Sequence, residues 1–512
     1  MNNTTENNKR IAKNTLLLYC RMLFLMVVNL YTSRVVLNAL GVEDFGIYNV
    51  VGGIVAMFAV LSGSLSAAIS RFITFELGKG NQSNLNKIFS SAVTIQLGLA
   101  VIIILLAETI GLWFLNVKMN IPEIRMEASN WVFQFSILTF AINLISVPYN
   151  ASIIAHEKMS AFAYISILEA VGKLTIAFLI VISPIDKLIF YAILMCIISL
   201  VIRLTYGNYC KRHFDECTYH PIWDRQLLKQ MFGFAGWNFI GAASSVLRDQ
   251  GVNVVINLFC GPAVNAARGI AFQVNNAIQG FVTNFMTALN PQITKSYASG
   301  DKAYMMTLII QGARLSFYML LLLSLPILIN THYILGLWLK MVPEHTVLFV
   351  QLILIFAMSE SISYPLVTAM LASGNIRNYQ IIVGGLQILN LPISYLLLHF
   401  KIFPEIVIIV AICISQCCLI ARLLLLKGMI GLSIKTYLHN VYFNVLVVSI
   451  CAAIFPLISI QYIKESFIGF IFTSLVTIIC TVCSIYFIGC NQKEQRFIIQ
   501  KLSTIKYRIT QK

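Results

Sequence analysis

Apolar runs long enough to cross a membrane recur along the whole chain, divided by short polar segments rich in Lys and Arg. VTIQLGLAVIIILLAETIGLWFL (93–115) is one such run. About 20 apolar residues in a helix match a hydrocarbon core of about 30 Å. The runs do not alternate apolar with polar residues, as the roughly ten-residue strands of a membrane β-barrel would. The pattern predicts an all-α polytopic membrane protein with about fourteen transmembrane helices. Their expected bounds are 14–37, 47–70, 88–115, 128–150, 161–183, 187–208, 231–259, 263–289, 306–330, 347–372, 380–400, 404–425, 441–460 and 466–489.

Four segments return in the same order further along. VVLN (35–38) returns as VVIN (254–257), and RFITFELGKG (71–80) as PQITKSYASG (291–300). GLWFL (111–115) returns as GLWLK (336–340), and VPYNASIIA (147–155) as YPLVTAMLA (364–372). The offsets stay between 217 and 225 residues. Collinear matches at a nearly constant spacing indicate an internal duplication. Each copy holds six expected spans. An even number preserves orientation, so the copies are parallel repeats about an axis along the membrane normal, with a site expected between them. The expected organisation is a first six-helix bundle (1–208), a polar linker (209–230) and a second bundle (231–425). Two further helices (426–490) and a basic tail (491–512) follow.

Composition supports the class. Hydrophobic residues make up 58% of 512 and charged residues 11%, against about 25% charged in soluble domains. The mean hydropathy is +0.82. The polar, basic N-terminus precedes a run too long for a signal-peptide core, so the first helix is expected to stay. The net charge of +16 reads as the positive-inside bias rather than as a nucleic-acid surface. Lys and Arg in the loops, in the tail and at span ends, Arg203, Arg422 and Lys187 among them, number 24 on the N-terminal side and 6 on the other. That bias places both termini in the cytoplasm. Most of the 12 Cys fall inside apolar runs and read as small buried packers.

Ionisable residues at membrane depth are costly and mark functional sites. Apart from those near the ends of the spans at 187–208 and 404–425, the charged residues within the expected spans are Arg21, Arg34, Lys173, Arg248, Arg268, Arg314, Glu108, Glu169, Asp249 and Glu360. In the eighth span Asn265, Arg268, Asn276, Gln279, Thr283, Thr287 and Asn290 share one face at about 100° per residue. Such a stripe faces a cavity or bonds to other helices, since it cannot face lipid. In the seventh span Asn238, Ser245, Asp249 and Asn253 cluster on one side. Arg248, one residue and about 100° away, is expected to point past Asp249, toward substrate or an acid of another helix. Arg21 lies deep in the first span; Arg34, nearer an end, reads equally as a snorkelling cation. Glu169 and Lys173 stand in the favoured i,i+4 order and are expected to neutralise each other. Glu360 is isolated mid-span, free to pair with an arginine or to bind a coupling proton or sodium ion. The sequence holds no P-loop, HExxH or GxSxG motif, and no cofactor or metal is implied. Glu43 and Asp44, in a short turn, keep open an integral-membrane glycosyltransferase or polymerase that binds metal there.

NALGVEDFGIYNVV (38–51) resembles the turn between the first two helices of Wzx-type polysaccharide flippases, a branch of the multidrug/oligosaccharidyl-lipid/polysaccharide (MATE/MOP) exporter superfamily. SRFITFELGKGNQ (70–82) resembles that family's loop after the second helix, and Asp249 before Gly261 is similar to its seventh helix. NAARG (265–269) departs from the family, which often places an aromatic residue there. The resemblance covers the whole chain and its six-plus-six-plus-two plan. It implies a flippase that moves a polyprenyl-diphosphate-linked oligosaccharide between leaflets by alternating access, for lipopolysaccharide or capsule biosynthesis. Membrane lipids and polysaccharide polymerase machinery are the implied partners, and no nucleic acid. Arginine suits a diphosphate because it binds phosphate oxygens bidentately and stays charged when desolvated. Arg21, Arg248 and Arg268 are therefore the expected diphosphate contacts. Asn276, Gln279, Thr283 and Asn253 are expected to meet sugar, and Asp249 and Glu360 to serve coupling or ion pairing. The alternatives within the superfamily are a multidrug/cation antiporter, which would use deep carboxylates, and a lipid II flippase.

Overall fold

The computed structural model describes residues 2–41, 44–45, 47–48, 51, 59–118, 121–222, 224–339, 342–463, 466–492, 494–496 and 499. Among them there is no strand. The helices are α1 (Asn2–Leu40), α2 (Ala59–Lys79), α3 (Gln82–Leu106), α4 (Glu123–Ala155), α5 (Met159–Leu179) and α6 (Lys187–His213), then α7 (Arg225–Ala298). After these come α8 (Lys302–Ile329), α9 (Thr331–Leu339), α10 (Thr346–Ser361), α11 (Tyr364–Ser373), α12 (Arg377–Ile388) and α13 (Asn390–His399). The last three are α14 (Ile406–Ile430), α15 (Asn444–Ser459) and α16 (Phe467–Ser484).

Among the described residues ten stretches are long and apolar enough to cross a membrane, or eleven if the bent pair α10–α11 is one span. The count of fourteen also requires a span at 47–70, of which 49–50 and 52–58 lie outside the described residues, and one in each arm of α7. These carry much of the polar load. Gly261 divides the arms of α7 with φ 83° and ψ 176°, a backbone region open essentially to glycine alone. The α10–α11 bend of 40° falls just before Pro365, whose missing N–H is tolerated in a first helical turn. The Ile362 carbonyl at this break accepts a hydrogen bond from the Tyr437 hydroxyl at 2.6 Å. Broken backbone at membrane depth requires such a partner.

The contacts divide the chain into two compact units. One comprises 1–243, 287–301 and 371–377; the other comprises 244–286, 302–370 and 378–512. The first has its core where Phe89, Val93, Tyr149, Ile153, Ile165 and Ile202 meet. In the second, α16 turns Thr473, Thr477 and Thr481 inward, fully buried. Each hydroxyl donates to the carbonyl four residues back, which lets small polar residues pack without an unmet donor. Not all cysteines are buried as expected: Cys413, Cys417, Cys451 and Cys483 are exposed. Lipid is as apolar as a core, so a thiol facing it costs little.

The duplication is written in the backbone. Gly41 and Gly261 share φ values of 84° and 83°, and Gly80 and Gly300 share 71° and 78°. Both pairs are 220 residues apart. A third left-handed pair lies at the offset of 217: Gly374 at φ 78°, and Glu157 at φ 59°. A non-glycine residue there costs about 1–2 kcal/mol, and its carboxylate is fully engaged. Glu157, with a side chain 1% exposed, binds Arg10 Nε at 2.8 Å and Lys295 Nζ at 2.7 Å. Gln292 Nε2 donates to it at 2.6 Å, and Asn14 Nδ2 to its backbone carbonyl at 3.3 Å. At the sister loop the guanidinium of Arg71 donates to the Ala372 carbonyl at 3.0 Å and lies over Phe75. A Cβ on Gly374 would come within 2.5 Å of Arg71 Nη2. One loop thus supplies a carboxylate and the other yields its space to a cation. Arg71, one residue past its expected span, lies within α2, and Arg203 and Arg422, near the ends of theirs, lie well inside α6 and α14, because helices extend beyond their most apolar stretch.

A Cβ on Gly78 would lie 2.8 Å from the Cα and the carbonyl oxygen of Lys295. Gly63, in the same helix, has open space around it. Gly78→Ala is expected to cost about 1–3 kcal/mol by overpacking, measured as a lowered thermal midpoint of the purified protein, whereas Gly63→Ala is neutral or stabilising.

Candidate functional site

The second unit gathers the charges of the two α7 arms. Arg248 binds its own neighbour: Nε donates to Asp249 Oδ1 at 2.8 Å and Nη2 to Oδ2 at 3.2 Å. The expectation that the two point apart is corrected here. The helical angle sets only where the Cβ atoms leave the backbone, and the long arginine stem bends back across the gap. Arg268, on the other arm, donates from Nη1 to Asn253 Oδ1 at 2.5 Å and from Nη2 to the Asp249 carbonyl at 3.2 Å. Aromatic faces complete the cluster, with Arg268 4.3 Å from the centre of Phe272 and Arg248 5.4 Å from that of Phe356. Cation–π contacts of this kind strengthen where water is excluded.

Arg268 is buried, and its Nε finds no partner among the described residues. The Arg248 side chain is 14% exposed and that of Asp249 38%. A cavity of about 20 Å³, lined by Arg248, Asp249, Arg268, Phe272, Phe356 and Asn390, lies against them. That is room for about one water. Glu360, within electrostatic reach of Arg248, accepts a hydrogen bond from Ser415 Oγ at 2.5 Å. Arg422, which the sequence pattern leaves among loop and span-end cations, is buried in α14 within electrostatic reach of Glu360 and Tyr379. Its only sequence signal is position: it is a cation at the end of an apolar run.

The structure therefore brings Arg248, Asp249, Asn253 and Arg268 together, with Glu360 nearby. The Asn253 oxygen is committed to Arg268. Along the stripe Asn276 and Thr283 are exposed and Gln279 is half-buried; Thr283 Oγ1 donates to the Gln279 carbonyl at 3.0 Å. Arg21 belongs to the first unit, half-buried and 4.3 Å from the centre of Phe162, with Glu169 and Tyr206 in electrostatic reach. Glu169 and Lys173 pair at 2.6 Å, as their spacing implied. Arg314 is met by Glu494 at 2.6 Å and the Gly489 carbonyl at 3.1 Å. Glu108 accepts from Gln134 Nε2 at 3.1 Å.

Asp44 has a structural partner. Arg125 binds it through Nε at 2.8 Å and through Nη2, and binds Asp186 through Nη1 at 2.6 Å. A guanidinium thus occupies the carboxylate that the glycosyltransferase reading gives to a metal. Glu43 lies outside the described residues. Asp186 also caps α6, accepting from the amides of Leu188 and Ile189 at 3.0 and 3.2 Å.

The sequence model of the polysaccharide biosynthesis protein family matches residues 11–297, more than half of the 512. The chain belongs to that family. Its fold is the MATE one. A MATE structure in the bent conformation superposes with a TM-score of 0.72 at 13% identity, covering 84% of this chain and 97% of that one. An outward-facing multidrug resistance MATE family transporter of the MOP superfamily gives 0.71 at 13% identity, with 83% and 96% covered. A MOP superfamily transporter from Pyrococcus furiosus, described by a reverse polarity of its binding pocket that suggests a different function, gives 0.67 at 14% identity, with 83% and 96% covered. At such identities the likeness is one of fold. No curated protein matches the chain. This family member is a multi-pass membrane protein, and its family and fold are those of flippases and transporters.

Burial pushes the Asp186 carboxyl up, but Arg125 and the two capping amides outweigh it and hold the group below its ordinary value. Such a depressed group stabilises the fold above the ordinary carboxylate range and loses that contribution as pH falls through the lowered pKa. Asp186→Ala is expected to cost about 0.5–2 kcal/mol at pH 7 as a lost cap. Thermal melts from pH 7 to 3 should show the gap from wild type closing at the acid end.

Proposed function

We propose that this protein flips a polyprenyl-diphosphate-linked oligosaccharide from the inner to the outer leaflet of the inner membrane, by alternating access, in surface polysaccharide biosynthesis. The observation that carries this reading is the pair of desolvated arginines on the two arms of α7, in a chain of the polysaccharide biosynthesis family. Two guanidiniums within one cluster match a diphosphate, whose oxygens accept bidentate bonds. Arg248 and Arg268 are assigned to the diphosphate. Asn276, Gln279 and Thr283 offer amides and hydroxyls to sugar, while Asn253 holds Arg268. The six-helix halves 1–208 and 231–425, joined by 209–230, are the moving parts. Helices 426–490 are added to them, and both termini, including the basic tail 491–512, are cytoplasmic. Lipid tails and membrane lipids are partners by this reading, with a polysaccharide polymerase downstream.

A cation antiporter is the second reading, favoured by the deep carboxylates Asp249 and Glu360. It is weaker because each is already engaged, by Arg248 and by Ser415.

Arg248→Glu and Arg268→Glu, each expressed at normal level in the membrane, are expected to reduce surface polysaccharide at least tenfold. Undiminished glycan on immunoblots of either variant would remove the cationic site.

A further inference from the structure

We propose that Asp249 is an internal stand-in for substrate: it holds Arg248 while the site is empty and is displaced when the diphosphate arrives. The inference rests on the reading of this cluster as the diphosphate site, and adds how the site is kept until it is used.

The two members of the pair are held very differently. The Arg248 guanidinium is buried against Phe356, whereas the Asp249 carboxylate is 38% exposed. Among the described residues only Arg248 donates hydrogen bonds to that carboxylate. The backbone beside it is fixed, because Arg268 Nη2 holds the Asp249 carbonyl at 3.2 Å. The side chain can therefore swing while its helix stays. Asp249 takes the fork of Arg248 bidentately, the same geometry in which arginine takes a phosphate. Arg268 Nε, buried with no partner among the described residues, is a donor waiting for an oxygen that Asp249 does not supply.

Space and charge give the same answer. About 20 Å³ stands free beside the pair, enough for a water and far too little for a diphosphate. A headgroup that takes the Nε and Nη2 fork of Arg248 must take the place of the carboxylate. Asp249 and Glu360 offset much of the charge of Arg248, Arg268 and the nearby Arg422 while the site is empty. An arriving dianion that left Asp249 in place would meet a like charge. One that displaces it exchanges one bidentate partner for a stronger one, and gains Arg268 Nε.

The test is pyrophosphate binding to the full-length protein in lipid nanodiscs. Asp249→Asn is expected to bind at least tenfold more tightly than wild type, and Arg248→Gln at least tenfold more weakly. If Arg248→Gln weakens binding while Asp249→Asn leaves it unchanged or weaker, the stand-in role is overturned and the diphosphate site stands. If neither Arg248→Gln nor Arg268→Gln alters binding, the site itself is overturned and the inference with it. Because Asp249→Asn leaves a guanidinium unpaired, the variant is also purified and melted in pyrophosphate. Its thermal midpoint is expected to rise by more than that of wild type, since the ligand refills the place of the carboxylate. An equal or smaller rise overturns the inference.

Discussion

A guanidinium inside hydrocarbon must bring its counter-charge or its hydrogen-bond partners with it. Moving an unpaired ion from water into a low dielectric costs several kcal/mol even after relaxation. Most of the interior of this flippase-family member follows from that constraint. Arg248 takes Asp249 and Arg314 takes Glu494, and outside the expected spans Arg125 divides itself between Asp44 and Asp186. Where no carboxylate bonds directly, aromatic faces serve: Phe162 under Arg21, Tyr149 under Arg203, Phe272 under Arg268. Removing one partner strands the charge of the other, so a pair between helices fixes the elements it joins. A pair at the mouth of a cavity differs from one packed between helices, because its exposed member can be exchanged. That difference separates the Arg248–Asp249 pair from the Arg314–Glu494 pair.

The duplication shows how one scaffold acquires unequal parts. Its copies share glycine breaks at Gly41 and Gly261 and at Gly80 and Gly300, because the backbone there leaves almost no other residue possible. At the third such break the copies diverge. Glu157 accepts the strain and spends its carboxylate on Arg10, Gln292 and Lys295; Gly374 stays small because Arg71 fills the space beside it. Both solutions tie a loop to helix ends through charge, with the sign supplied from opposite sides.

Much of the site was legible in the sequence. Hydropathy alone set the helical class and most span limits, since the hydrocarbon thickness is a fixed ruler. The spacing of Arg248, Asp249, Asn253 and Arg268 marked them as one region on two consecutive spans, and they do cluster. The i,i+4 order of Glu169 and Lys173 foretold their pairing, because neighbours on one helix need no tertiary information. The repeat foretold the paired glycine turns, because conformational need is carried by glycine itself.

Other features were decided in three dimensions. A helical wheel places Cβ atoms, not the end of a six-bond side chain, so it could not show Arg248 turning back onto Asp249. Arg422 and Arg71 looked like loop and span-end cations because hydropathy weighs a residue without knowing what packs around it. Arg125 meets Asp44 and Asp186 across 81 and 61 residues of chain, a distance over which no local pattern carries information. The sequence by itself determined where the chain crosses hydrocarbon and where its backbone must break. Only the tertiary structure decided which charges neutralise each other, because that depends on the neighbours that folding brings within reach.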